Sequence, residues 1–363
     1  MMKYGKNGKI QAILALIAAL AALALGGCSK KAAPVTGTGK ALKDFVLPYD
    51  VSGTGNPLVA IAYDLKYFEE EGLNAILQPL STGGNVDQLM ALSTGKIDVS
   101  NSGGTVAPAL FIEQGNDLVI IGGTMGEGAA LVAQPENVGL YANFNKDSLN
   151  GKSIGVRRAN TGDVALRGWL AKQEVDLSKI TFVELDGAPT IIEAVRNRSI
   201  DVGSVYTVYR QVAEQQGFPV FLHIDALTPN FPCCRISTTG KNLAERREDY
   251  VAFFKALIRA WKVFNLDHEQ SLDITDRHYD ADRALLKDVY YDYGHYTLSP
   301  DPEKQRIIDF YTGMVSIGYA EGIGDVPGHI DSTIYGDALN QIITEYPDDP
   351  FYREVKRHFD ENN

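Results

Sequence analysis

Two short stretches and one scattered set of residues carry side chains that could do chemistry. Leu25-Gly26-Gly27-Cys28 closes an Ala/Leu-rich apolar run, interrupted only by Gln11, that follows Lys3, Lys6 and Lys9. A positive start, a short apolar middle and small residues before a cysteine read as a secretory leader ending in a lipobox. The apolar run is short for a membrane span, which needs about 20 residues. In that reading the Cys28 thiol takes a diacylglycerol, and its amine, once freed by cleavage, takes a further acyl chain. The second stretch, Cys233-Cys234-Arg235, sets two thiols beside a guanidinium. The nearest histidine in sequence is His223, too few ligands for the usual four of structural zinc, so no metal is expected. A vicinal disulfide would be strained, and two buried or ligand-facing thiols are the alternative. Arg235 is the best single partner for a carboxylate or sulfonate, because a guanidinium presents a planar fork of donors; Arg157 and Arg158 are its alternates.

The scattered set lies where strands should give way to helices. Helix starts offer free backbone amides and a partial positive charge, and ligands of open α/β sheets bind at that edge. In the first half of the chain the candidates are Asn56, Thr82, Gly83, Ser102, Thr105 and Thr124. In the second they are Asn160, Thr161, Asp186 and Tyr206. A tyrosine at 206, with Tyr209 one turn on, can stack on a ring or close over a small anion. Asp186 can accept from an amine or a ring N–H.

Something must hold these residues on one edge, and a repeat shows what. Residues 84–99 echo residues 187–202 without a gap: Ala91 aligns with Ala194, Leu92 with Val195, Ile97 with Ile200, Asp98 with Asp201 and Val99 with Val202. Each copy reads as glycine turn, amphipathic helix, polar turn and strand, one αβ step of a parallel sheet. Asp98 and Asp201 stand at strand starts, the wrong end for binding, and are read as structural. Around the copies the pattern predicts strands at 45–51, 74–80, 97–100 and 118–124, then at 153–156, 181–185 and 220–224. Breaks at 124–128 and 229–235 are followed by strands at 130–133 and 236–239, taken as two crossings between lobes. From 245 onward the chain reads as helical. Phe253, Phe254, Leu257, Ile258, Trp261 and Phe264 form an apolar stripe expected in the core. The tyrosine-rich run 290–296 is expected to pack.

Composition sets bounds. The 363 residues are 45% hydrophobic and 22% charged, normal for a soluble globular protein of about two domains. The leader holds three lysines and no acid, so the remainder carries 31 basic and 46 acidic residues, net −15. That balance argues against nucleic acid and requires any anion site to be built locally. The division expected is a leader at 1–27, a lipidated tether at 28–40, a first lobe at 41–126, a second at 127–235, and a return to the first with C-terminal helices at 236–363.

In this order of elements the chain resembles the sulfonate, taurine, nitrate and pyrimidine-precursor binding proteins of ABC importers. The carriers are Tyr67-Phe68-Glu69 with Gly72-Leu73, and Gly83-Gly84 with Leu92, Gly95 and Asp98. Gly151-Lys152-Ser153-Ile154-Gly155-Val156 and Asp201-Val202 complete them. They run in order behind a lipobox, over residues 45–267. Lys66 departs from the pattern, since the family usually places glycine there. The resemblance implies an α/β, two-lobed periplasmic binding protein of the second type, each lobe a mostly parallel sheet flanked by helices, with two chain crossings. It implies a small polar or anionic organic solute as ligand (sulfonate-, taurine-, nitrate- or pyrimidine-like) and an ABC permease and ATPase as partners. It further implies attachment to the membrane through Cys28, a monomer, no cofactor and no catalysis. Tyr206 falls where the family often has an aromatic residue. Cys233-Cys234 resembles a longer cysteine-rich motif in a pyrimidine-synthesis branch that includes a cytoplasmic enzyme. Two cysteines in an exported chain do not carry that activity over. The alternatives are a ligand-sensing subunit of a signalling system and, behind it, an enzyme on this fold.

Overall fold

Asp98 and Asp201 show how the two echoed steps are built. The Asp98 amide donates to the Val46 carbonyl at 2.9 Å, and its carboxylate accepts the Val46 amide at 2.6 Å. The Asp201 amide donates to the Ser153 carbonyl at 3.1 Å, and its carboxylate accepts the Ser153 amide at 2.8 Å. In each case one residue occupies both backbone groups of the neighbouring strand, so the strand after the helix is pinned beside the first. A carboxylate accepting an amide is among the stronger hydrogen bonds available to a side chain.

The architecture comes from a computed structural model that describes residues 41–51, 56–80 and 85–363, with residues 85, 102 and 103 as backbone only. Cys28, Thr82 and Gly83 lie outside the described residues. The strands are β1 (Lys43–Tyr49), β2 (Leu73–Pro79), β3 (Ser100–Gly104), β4 (Val119–Glu127), β5 (Ala129–Ala133), β6 (Ser153–Arg157), β7 (Thr181–Leu185), β8 (Val202–Tyr206), β9 (Val220–His223), β10 (Cys234–Thr238) and β11 (Tyr296–Leu298). β1 and β2 pair in parallel. A four-stranded sheet follows the order β11-β4-β10-β3, and a five-stranded sheet the order β7-β6-β8-β5-β9. In the first lobe β10 runs antiparallel to both β3 and β4, so these two share a direction with the crossing strand between them. In the second lobe β5 lies antiparallel between β8 and β9, while β6 is parallel to β7 and β8. Each crossing strand thus inserts into the sheet it enters, at the same place in the order. The result is the two-lobed α/β fold with two crossings.

Two expectations are corrected here. Residues 97–99 are not strand: Asp98 is occupied with Val46, and the strand begins at Ser100 and continues through Gly104, over the glycines read as a helix start. Poor strand formers extend there because β10 pairs with them. The run 290–296 does more than pack, since its end becomes β11, the edge strand against β4.

The core of the first lobe sits under helix Gly240–Leu266. Phe253, Phe254, Leu257 and Ile258 are buried, with Trp261 only partly covered. Phe45 of β1 stacks on Phe253 at 5.2 Å and meets Tyr250 edge-on at 5.3 Å. Each such side chain contributes about 1.5–3 kcal/mol on burial. Separate apolar clusters lie on the faces of the second sheet, around Leu166, Ile154 and Val202 and around Ile191, Val195 and Val205. Among the described residues no helix is long and apolar enough to cross a membrane.

Candidate functional site

The elements deliver several predicted residues to one place, the start of the returning crossing strand. The Cys233 carbonyl accepts the Thr105 amide from the first lobe at 2.9 Å and the Thr161 hydroxyl from the second at 3.0 Å. Thr105 also donates its hydroxyl to the Pro232 carbonyl. Thr161 opens helix Thr161–Lys172, whose cap is Asn160: its side chain accepts the Asp163 amide at 3.2 Å. Thr124, buried in β4, lies beside the Cys234 thiol. A single peptide of the crossing is therefore held by both lobes.

The two thiols are reduced, with their sulfurs 3.4 Å apart. Their shared hydrogen bond splits them. The Cys233 thiol is pushed well up by that bond, and burial adds to this. The Cys234 thiol is lowered by that bond against the opposing effect of burial, with Arg235 and Arg157 nearby. Arg157 ends β6 and donates to the Tyr206 hydroxyl at 3.3 Å from the end of β8. Tyr206 meets Tyr209 edge-on at 5.6 Å. The Tyr209 hydroxyl is raised by burial, by Tyr206 and by Asp50, which stands just past β1 on the other lobe.

The sequence missed much of the opposite wall. The Tyr279 hydroxyl donates to the Asn56 carbonyl at 2.7 Å, and its ring stacks on Tyr49 at 6.0 Å. The Asn56 amide group donates to the Asn101 carbonyl at 3.1 Å, which fixes the entry to helix Pro57–Asp64. Tyr296 is close enough to both cysteines for their charge to bear on it, and its hydroxyl is buried without a partner among the described residues. Such an orphan donor marks a place where something polar belongs. Thr207 has φ +41°, a conformation that costs a β-branched residue about 1–3 kcal/mol. It stands in the chain between Tyr206 and Tyr209. Only the tyrosine-rich run carried any signal for these residues, because Tyr49, Asp50, Tyr279 and Tyr296 come together from distant parts of the chain.

Other predicted residues do not join this convergence. Arg235 is 1% exposed; it donates to Glu303 at 3.0 Å and to the carbonyls of Met125 at 3.2 Å and Cys234 at 2.9 Å. Its guanidinium is engaged within the protein, which corrects its assignment as the partner of a ligand anion. Asp186 is exposed in the bend after β7, and Arg158 is exposed after β6. Ser102 lies within β3, described as backbone only.

This geometry can be set beside known proteins. A Brucella abortus protein named only as a binding protein is 26% identical over 240 residues, covering 64% of this chain and 70% of its own. The periplasmic aliphatic sulphonate binding protein of Escherichia coli superposes with a TM-score of 0.66 at 14% identity, covering 82% of this chain and 100% of that one. The periplasmic nitrate-binding protein of Synechocystis gives 0.66 at 14%, covering 83% and 89%. A desulfurization enzyme gives 0.60 at 11%, covering 82% and 99%. At such identities the structures establish the fold that binding proteins of import systems share. The family model for NMT1-like proteins matches residues 51–276, more than half of the chain, and the protein belongs to the NMT1-like family.

Proposed function

We propose that this protein is the exported, lipid-anchored solute receptor of an ABC importer. It captures a small organic acid in the cleft between its lobes and presents it to a permease. The leader and lipobox ending at Cys28 support export and anchoring. The observation that carries the reading is the Cys233 carbonyl, held by Thr105 of the first lobe and Thr161 of the second. Beside it we assign Tyr49, Asp50, Asn56 and Tyr279 to one wall and Arg157, Tyr206 and Tyr209 to the other, since Asp50 of the first lobe acts on Tyr209 of the second. A ligand that touches both walls favours the closed arrangement, because only differential affinity shifts a conformational equilibrium. Four tyrosines suit a ligand with a flat or apolar part, and Arg157 with the amides of the Thr161 helix start suits its acidic group. The site contributions of Thr82, Gly83 and Ser102 are part of this proposal. So is the division into a first lobe at 41–126, a second at 127–235 and a return at 236–363.

Native mass spectrometry of protein purified without refolding should show a bound small molecule, and calorimetry with that compound then tests the site. Tyr206→Ala should weaken binding at least tenfold, on the scale of a lost aromatic contact and ring hydrogen bond, with the thermal midpoint nearly unchanged. Unchanged affinity would remove this cleft from consideration. Two adjacent thiols with Arg235 and Arg157 nearby favour a second reading, an enzyme with a thiolate at its centre. Turnover of the bound compound by purified protein, abolished in Cys234→Ser, would establish that reading instead.

A further inference from the structure

Three side chains meet that come from two distant parts of the sequence. His223 ends β9 and Asp225 follows it, both from the second lobe, while His295 immediately precedes β11 of the first lobe's sheet. One ligand atom from each lies within 4.8 Å of the others, and all three residues are half-buried. His295 Nδ1 and Asp225 Oδ2 are 2.7 Å apart. The two imidazoles stack with centroids 3.5 Å apart and planes 4° from parallel. Two polar atoms of this cluster are buried without a partner among the described residues: Nδ1 of His223 and Oδ1 of Asp225. Buried polar atoms are nearly always paired, and a pair of orphans in one cluster is the trace expected of an ion or water.

We propose that His223, Asp225 and His295 form a binding site for a divalent first-row transition ion, tying β9 to the segment before β11. Two imidazoles and one carboxylate are the donor set that zinc and its neighbours take, with further positions left to water. Hard ions such as magnesium and calcium prefer all-oxygen sets. Because the rings are parallel, one must turn about χ2 for both lone pairs to reach a single ion, and the unpaired His223 Nδ1 leaves that ring free to do so. Contacts that orient the His295 segment are in place. Asp225 already orients His295, and the His295 carbonyl accepts Arg210 Nη1 at 3.1 Å. Arg210 opposes a cation, but its charge lies over the Tyr293 ring at 4.4 Å, with Asp225 and Asp288 acting on it. No local pattern marks this site, since its third donor lies 70 residues beyond Asp225.

The test is zinc chloride titrated into the untagged, metal-stripped full chain by calorimetry, with cobalt(II) absorption reporting the donor set. One equivalent should bind, with affinity at least about tenfold weaker in His295→Ala and in Asp225→Asn, and unchanged in Cys233→Ser/Cys234→Ser. Should the histidine variants fold poorly, diethylpyrocarbonate labelling read by mass spectrometry serves on the unaltered chain: zinc should protect His223 and His295 selectively. No binding, binding that survives His223→Ala/His295→Ala, loss in the cysteine variant, or no protection of these two histidines would each overturn the assignment.

Discussion

Arg235 shows how residue type and surroundings can point in opposite directions. From the sequence it is the best anion partner on the chain. In the fold its guanidinium is buried against Glu303, which also accepts from Arg306 at 2.7 Å and lies 3.1 Å from His358. Removing one member of a buried pair leaves the other uncompensated, at a cost of about 3–5 kcal/mol. Arg306 and His358 still hold Glu303, so the lower end is expected. Arg235→Ala should therefore lower the urea midpoint sharply, and calorimetric affinity should change only as far as the folded fraction does. A well-folded variant that no longer binds would return Arg235 to the cleft. Lys66 makes the converse point. It stands at φ +62° where the family usually has glycine, and among the described residues its side chain meets the exposed Glu69 and the ring of Tyr63. A left-handed conformation costs a non-glycine residue about 1–2 kcal/mol, while an exposed ion pair contributes under about 1 kcal/mol. Lys66→Gly should accordingly stabilise the fold by about 0.5–1 kcal/mol in denaturant titration, and a loss of stability would show the Lys66 side chain matters more than its backbone.

At the scale of elements, what was legible is what repeats or alternates. The echoed helix and aspartate at 98 and 201 fixed one αβ step per lobe, and the stripe through Phe253, Phe254 and Leu257 fixed the long core helix. What was not legible depended on partners distant in sequence. β11 is three residues long and exists because β4 offers an open edge, and the Tyr49–Tyr279 wall needs two segments that share no local pattern. Glu113 is another such case. At the end of helix Val106–Glu113 it accepts the Tyr311 hydroxyl at 2.7 Å and the amides of Glu321 at 3.1 Å, Gly322 at 2.5 Å and Ile323 at 3.3 Å. Burial acts to raise its pKa, but these four donors outweigh it and hold the carboxyl below its usual value. A carboxyl depressed in the folded state contributes stability above its unfolded pKa of about 4.3, lost as pH falls toward the folded value. Glu113→Gln should cost about 1–3 kcal/mol at pH 7 and flatten the decline in stability below about pH 4.3. If stability in the variant falls with acid as steeply as before, other carboxylates control that limb.

For the whole molecule, the relevant quantity is charge. Residues 28–363 carry net −15, so an anionic solute of the kind proposed would approach against the overall field and have to be drawn by local groups. In the proposed cleft Arg157 and the helix start at Thr161 are opposed by Asp50 on the facing wall. These two scales separate experimentally, because salt screens the long-range field first: the Debye length is about 30 Å at 0.01 M and about 8 Å at 0.15 M. Contacts inside a closed cleft are screened far less. Raising salt over that range should therefore increase the association rate of an anionic ligand by about two- to threefold, with a smaller change in its dissociation rate. Stopped-flow tyrosine or tryptophan fluorescence measures both, since Tyr206 and Tyr209 lie in the cleft. An association rate that falls with salt would mean that the ligand is a cation, with Asp50 rather than Arg157 as its counter-charge. The organic-acid reading would then give way to one in which the acidic surface gathers the solute and the cleft closes on it.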